Sequence, residues 1–410
     1  MIQFSRHILD NGLTVICHTD KSTPFVSVNV LYKVGSRNEQ ADKTGFAHLF
    51  EHLMFGGSTH IEDYDKHVQL AGGESNTTND LTNYYITIPA SNIETALWLE
   101  SDRMAGLNLS PSSLDIQKHV VIEEFKQRYL NNPYGDLWLK LRPLAYKVHP
   151  YRWATIGVSP EHIERATLED VGAFFRQFYA PDNAIVSICG NIAEDKALEL
   201  VKKWFGDIPP AHRPVSHIPA EPRQTEERRS IVPDNNVPAD AIYKVFHMGG
   251  RDSDDFYACD IISDILSNGQ SSRLYVNLIK NQRLFSGIDA YVSGDRDPGL
   301  FIFSGKLSEG IDIRQAEAAI DQEIEHFIKD EITVREVEKI IHKTEARISY
   351  SEISYQSKAS NLAFFEFLGD VDLINTEGKR YNDITVDKIK TTARELFRKE
   401  NCSTLWYLKK

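Results

Sequence analysis

Alternating and β-branched apolar runs recur along the chain: VSVNVLYKV (26–34), NYYITIPA (83–90) and AIVSICG (184–190), then AIYKVFHMG (241–249), LFIFSGKL (300–307) and STLWYLK (403–409). Period-two hydrophobicity of this kind predicts strands that bury at least one face. Longer stretches between them carry apolar residues three and four apart, the period of an amphipathic helix. Phe46, Leu49, Phe50 and Leu53 form one such stripe, with Asp42 and Thr44 placed to cap it and Gly56-Gly57 to end it. A second helix, predicted over Ser113 to Tyr129, carries its stripe on Ile116, Val120, Val121 and Phe125. Strands mixed with long helices, without strict βαβ alternation, predict an α+β fold with helices packed on a largely antiparallel sheet.

The pattern also repeats. Val30 to Gly57 runs as strand, GSRNE turn, helix and Gly-Gly stop, and Ile242 to Gly269 runs as strand, GGRDS turn, helix and Asn-Gly stop. Later, SPSSLDIQKHVVIEEFKQ has a counterpart in TVREVEKIIHKTEARIS. The stretch from Pro209 to Pro238 is rich in proline and charge, with few large apolar residues before Ile231. These features predict two homologous domains, 1–208 and 232–410, joined by an exposed linker over 209–231.

The first helix carries the most informative chemistry. His48 and His52 stand one turn apart on one face, the spacing two imidazoles need to hold one metal ion. Glu51 lies between them, close enough to take a proton from a water at that metal. The competing reading is an amphipathic helix with two core histidines. Burying two imidazoles and a carboxylate on one short helix carries a desolvation cost that needs a partner, which favours the metal. A third ligand is then required. Glu124 falls three residues after Val121 and four after Val120, on the buried side of the second helix, whereas Glu123 leans toward the wetter flank. Two imidazoles and a carboxylate make zinc the default ion. Asp260, Ser263 and Asp264 stand where the second copy would need His48, Glu51 and His52, so only the first domain is expected to bind metal.

Composition narrows the class. A chain of 410 residues, 41% hydrophobic and 26% charged, is long enough for two globular cores and has ordinary globular usage. Cys17, Cys189, Cys259 and Cys402 form no CxxC pair, which argues against a disulfide framework and a thiolate zinc site. No apolar run reaches the length of a membrane span, and MIQFSRHILDNGLTV lacks the layout of a signal peptide, so the expected setting is cytoplasmic with no membrane partner. A net charge of −13 argues against nucleic acid.

HLFEH within TGFAHLFEHLMFGGS, followed by AGGESNTTNDLTNYY and KHVVIEEFKQR, resembles the pitrilysin/insulinase family of zinc metallopeptidases in its short, mitochondrial-processing-peptidase-like branch. The similarity extends over nearly the whole chain. It implies one zinc ion on His48, His52 and Glu124, with Glu51 as general base. Asn76 matches an asparagine beside the family's site that helps to hold substrate or the attacking water; the residue reads equally well as a turn or strand-edge Asn after Gly72-Gly73. The family also implies peptide substrates enclosed in a chamber made by two such chains or one fused double-length chain.

Two departures from the family pattern matter. Gln117 occupies a place two turns before Glu124 where relatives carry a glutamate, a change expected to alter the outer shell of the metal. In LIKNQRLFSGIDAY, Lys280 stands near the family's substrate-gripping arginine, and Ser286 or Gly287 stands where its tyrosine is expected. Loss of an oxyanion donor typically lowers turnover by about 10²–10³. The resulting expectation is a zinc-dependent endopeptidase that forms the zinc-bearing subunit of a pair, with a homologous subunit supplying the arginine and tyrosine. A homodimer using other donors, such as Arg273 or Tyr291, is the alternative assembly, although these residues read as a helix-surface arginine and a strand tyrosine. The rival function is a non-catalytic structural or peptide-binding subunit of the same fold.

Overall fold

Six strands build the first sheet: β1 (Ser5–Ile8), β2 (Thr14–Thr19), β3 (Phe25–Tyr32), β4 (Gly73–Thr77), β5 (Thr82–Pro89) and β6 (Ala184–Gly190), in the order β1-β2-β6-β3-β5-β4. Every neighbouring pair is antiparallel except β2 with β6. The computed structural model describes residues 1–211 and 217–410, and residues 212–216 of the expected linker lie outside the described residues. The β3 strand is buried on both faces after its first residue. Its alternation separates Tyr32, whose ring meets Tyr179 at 4.8 Å on the side of the helix Phe46–Leu53, from Leu31, which joins the opposite core.

That opposite core is supplied from far along the chain. Ala359, Leu362, Ala363, Phe365 and Phe367 of the helix Tyr355–Leu368 pack with Ile16, Leu31, Ile185 and Cys189 of the sheet. Each large apolar side chain buried in this way contributes about 1.5–3 kcal/mol.

The second sheet has five strands, β7 (Arg228–Asp234), β8 (Ala241–His247), β9 (Phe285–Val292), β10 (Leu300–Leu307) and β11 (Cys402–Lys409), in the order β7-β11-β8-β10-β9. Only β7 with β11 is parallel. Alternation again serves two cores: Ile242, Phe246, Phe301, Phe303 and Trp406 join helical residues such as Ile262, Ile320 and Ile389, whereas Tyr243, Val245, Ile302, Leu405 and Tyr407 join Tyr134, Leu141, Tyr146 and Tyr151. Tyr407 fixes the second layer by donating its hydroxyl to Asp136 at 2.7 Å.

The α+β expectation with largely antiparallel sheets therefore holds, and the strand-turn-helix repeat is present in both units. The units are not contiguous in sequence. One comprises Met1–Gln127, Trp153–Pro219 and Ser349–Thr376; the other comprises Arg128–Arg152, Ala220–Ile348 and Glu377–Lys410. This differs from a division into 1–208 and 232–410, because each sheet has two apolar faces and covers the second with a segment from the other half of the sequence. The expected linker also ends early, since Arg228 to Ile231 already belong to β7. No described helix is long and apolar enough to cross a membrane.

Candidate metal centre

Two helices of the first unit carry the site. Phe46–Leu53, the motif helix, begins on Gly45, whose φ of 88° favours a residue without Cβ. A Cβ there would stand 2.6 Å from the Ile156 carbonyl oxygen. Glycine offers no capping side chain, and the cap comes from Glu39 instead. Its Oε2 accepts the Gly45 N–H at 2.9 Å and its Oε1 accepts the Ala47 N–H at 2.8 Å. Burial pushes the Glu39 carboxyl well above the usual carboxylate range, opposed by these N–H donors. Thr44, expected as a cap, turns its hydroxyl to His162 Nδ1 at 2.9 Å, while Asp42 stays exposed.

The facing helix, Pro111–Phe125, starts with a reciprocal cap in which Ser110 Oγ accepts the Ser113 N–H and Ser113 Oγ accepts the Ser110 N–H. Its buried residues are Leu114, Val121 and Phe125. Ile116 and Val120, expected in the buried stripe, are 57% and 44% exposed, because the buried line follows Leu114 and its seven-residue partner Val121. Glu124 keeps its predicted place beside Val121, with 17% of its side chain exposed. Glu123 points outward and pairs with Lys126 at 2.7 Å.

The structure brings His48, His52 and Glu124 together. The His48 and His52 Nε2 atoms lie 3.6 and 3.3 Å from the same carboxylate oxygen, Glu124 Oε2, and the ligand atoms all fall within 4.8 Å of one another. Tetrahedral zinc with nitrogen and oxygen ligands at about 2.0–2.1 Å separates them by about 3.3 Å, so the donor set fits one zinc ion. No other such group of His, Cys, Asp and Glu occurs among the described residues. In the second unit, Asp260 instead accepts the Tyr381 hydroxyl at 2.6 Å and Asp264 accepts Asn268 Nδ2 at 2.6 Å.

Glu51 is fixed by a residue that sequence reasoning missed. Ser75 Oγ on β4 donates to Glu51 Oε1 at 2.7 Å, leaving Oε2 for other work. Strand alternation supplies the reason: Ser75 faces the motif helix, while Asn76 is turned to the opposite face, across from Asn83. Asn76 is thus on the site's edge strand, but its side chain is on the face away from Glu51. Gln117 does reach the site, lining a cavity of about 330 Å³ with Glu51, His52, Phe55, Asp65 and Ser75. Ser75→Ala is expected to lower kcat by about 10- to 100-fold through loss of a charge-assisted hydrogen bond. Zinc content should be unchanged, and Ser75→Thr should restore much of the loss in steady-state assays.

Two of the second-unit candidates, Arg273 and Ser286, are engaged locally. Arg273 makes a two-pronged pair with Glu336, through Nε at 2.9 Å and a terminal nitrogen at 3.1 Å. Ser286 donates to the Lys306 carbonyl oxygen at 3.1 Å, and Tyr291 lies on β9, 39% exposed. Lys280 lies in the helical segment Tyr275–Asn281.

The donor set His48, His52 and Glu124 lies on one α+β unit, and the second unit, of like strand-turn-helix pattern, carries no such group among its described residues. Residues 14–136 match the family model described as Insulinase (Peptidase family M16), and residues 165–344 match Peptidase M16 inactive domain. A zinc protease named PqqE from Helicobacter pylori is 31% identical over 408 residues, covering 98% of this chain and 91% of that protein. The chain belongs to the insulinase family, peptidase family M16. It is also 23% identical over 401 residues to an uncharacterized zinc protease, YmxG, of Bacillus subtilis, covering 96% of this chain and 95% of that one. The crystal structure of a protease from Helicobacter pylori superposes with a TM-score of 0.93 at 30% identity, covering 99% of this chain and 100% of that chain.

Proposed function

We propose that this chain is a zinc-dependent endopeptidase cleaving peptides or unfolded segments in an enclosed chamber, as the zinc-bearing subunit of a two-subunit enzyme. The observation that carries the reading is the convergence of His48 and His52 on Glu124, with Glu51 beside them and held by Ser75. His48, His52 and Glu124 would hold the zinc ion, which when bound would supply the Lewis acidity that makes the attacking water easier to deprotonate. Glu51 takes the proton of the attacking water and delivers it to the leaving nitrogen. Its Ser75 contact keeps Oε1 occupied, so Oε2 is the atom that carries the proton. The β4 strand is the edge of its sheet, and an extended peptide adds there as a further strand, running past Ser75 and Glu51.

The two-subunit part rests on the second unit. Arg273 is committed to Glu336 and Ser286 to the β10 backbone, so neither supports the role of a substrate-gripping donor. Adding the absent groups tests this directly. Lys280→Arg combined with Ser286→Tyr is expected to raise peptide turnover of the purified chain by about tenfold or more. No gain, together with full activity of the unmodified chain, points to a self-sufficient enzyme and removes the divided-site reading.

A further inference from the structure

We propose that a cavity in the second unit, built from none of the metal-centre residues, binds a small α-carboxylate. The ligand has a carboxyl group next to a carbon that bears an N–H donor and an apolar side chain. A free apolar amino acid and the last residue of a peptide share that chemistry. The cavity holds about 430 Å³ and is walled by the end of β8, the helices Phe256–Ser267 and Val386–Leu396, and the segment 221–224. Every lining residue belongs to the second unit.

Two lining groups have hydrogen-bonding capacity left over. Thr392 is 6% exposed, yet its Oγ1 has no hydrogen-bond partner among the described residues. Buried polar side chains are as a rule paired, so an orphan hydroxyl on a cavity wall points to a ligand. His247 donates from Nε2 to the Ala145 carbonyl oxygen at 3.0 Å, and a carbonyl can only accept. Burial holds this imidazole below its ordinary pKa, so it stays neutral and its Nδ1 keeps a lone pair that can take an N–H.

The charged residues set the sign of the ligand. Glu221 accepts the N–H groups of Lys147, Val148 and His149, each at 2.8 Å, which answers its charge inside the protein. Asp255 is paired with Lys388. Glu395 remains, and its Oε2 stands 3.6 Å from Arg398 Nε and 3.8 Å from a terminal nitrogen of Arg223. One carboxylate thus faces two guanidiniums at the exposed mouth, where a guanidinium fork suits a second carboxylate. Met248, Leu396 and Cys259, whose thiol burial pushes up to about 12 and so keeps neutral, offer an apolar surface to the ligand side chain.

The test titrates N-acetyl-leucine, leucine and leucinamide into the zinc-loaded full chain by calorimetry. N-acetyl-leucine is expected to bind at least about tenfold more tightly than leucinamide, which lacks the carboxylate. Arg398→Gln and Thr392→Val should each weaken N-acetyl-leucine by about fivefold or more, and Thr392→Ser should restore it. Leucine binding as tightly as N-acetyl-leucine supports the proposal and assigns the site to free amino acids. Binding of N-acetyl-leucine without leucine supports it and assigns the site to a peptide C-terminus. No binding of either, or equal binding of leucinamide, overturns it. So does binding unchanged in both Arg398→Gln and Thr392→Val, the result a carboxylate seated on the zinc ion would give.

Discussion

Glu124→Gln is expected to lower zinc affinity by more than about 100-fold, because loss of even an outer-shell partner changes affinity by roughly 10- to 100-fold and this residue supplies a direct ligand. The geometry leaves no substitute. Both imidazole nitrogens face Glu124 Oε2, and the neighbouring Glu123 is turned outward to Lys126. A neutral amide removes the charge that balances the ion and offers a weaker donor oxygen. Competition with a chromogenic chelator measures the loss, and Glu123→Gln serves as the control that should bind zinc normally. Equal affinity in the two variants would place the metal elsewhere.

Glu51→Gln has the largest expected effect on rate with the smallest effect on structure. The amide keeps an oxygen to accept the Ser75 hydroxyl, so the local packing survives. It has no basic oxygen to take a proton, and general-base contributions of about 10²–10⁴ in rate are then lost. Zinc content should stay at the wild-type level in metal analysis while peptide cleavage falls by that factor. A variant that loses zinc along with activity would instead make Glu51 a structural support of the centre.

The metal centre was legible where its residues are close in sequence or share one helical period. His48, Glu51 and His52 lie within a single turn and a half, so spacing alone puts them on one patch. Glu124 followed from its offset to Val121, even though Ile116 and Val120 of the same supposed stripe are exposed. Periodicity located the correct side of that helix without locating the centre of its buried face. Glu39, Ser75 and Asp65 were not legible. Glu39 acts across a loop on the helix N-terminus, and Ser75 acts from a strand 24 residues beyond Glu51. Asp65 meets the centre only through a cavity. Nothing in local pattern encodes such contacts.

The fold shows the same limit. Alternation predicted β3, β5, β6, β8, β10 and β11 because each strand carries its own apolar periodicity. The helices Tyr355–Leu368 and Leu137–Ala145 cover the second faces of the two sheets, and an apolar side chain does not name in sequence the sheet it covers. The exchange of these segments is therefore a tertiary fact. The β4 strand was legible only as a strand-edge reading of Asn76, because GESNT has no large apolar residue and its place is set by pairing with β5 and by Ser75 meeting the motif helix.

The most direct measurement is turnover of a quenched peptide library by the metal-free chain as zinc is titrated in. Cleavage is expected to rise with zinc and to break at one ion per chain, at a rate held low by the absent arginine and tyrosine. A chain carrying one zinc ion whose cleavage is no greater than that of Glu51→Gln would contradict the account.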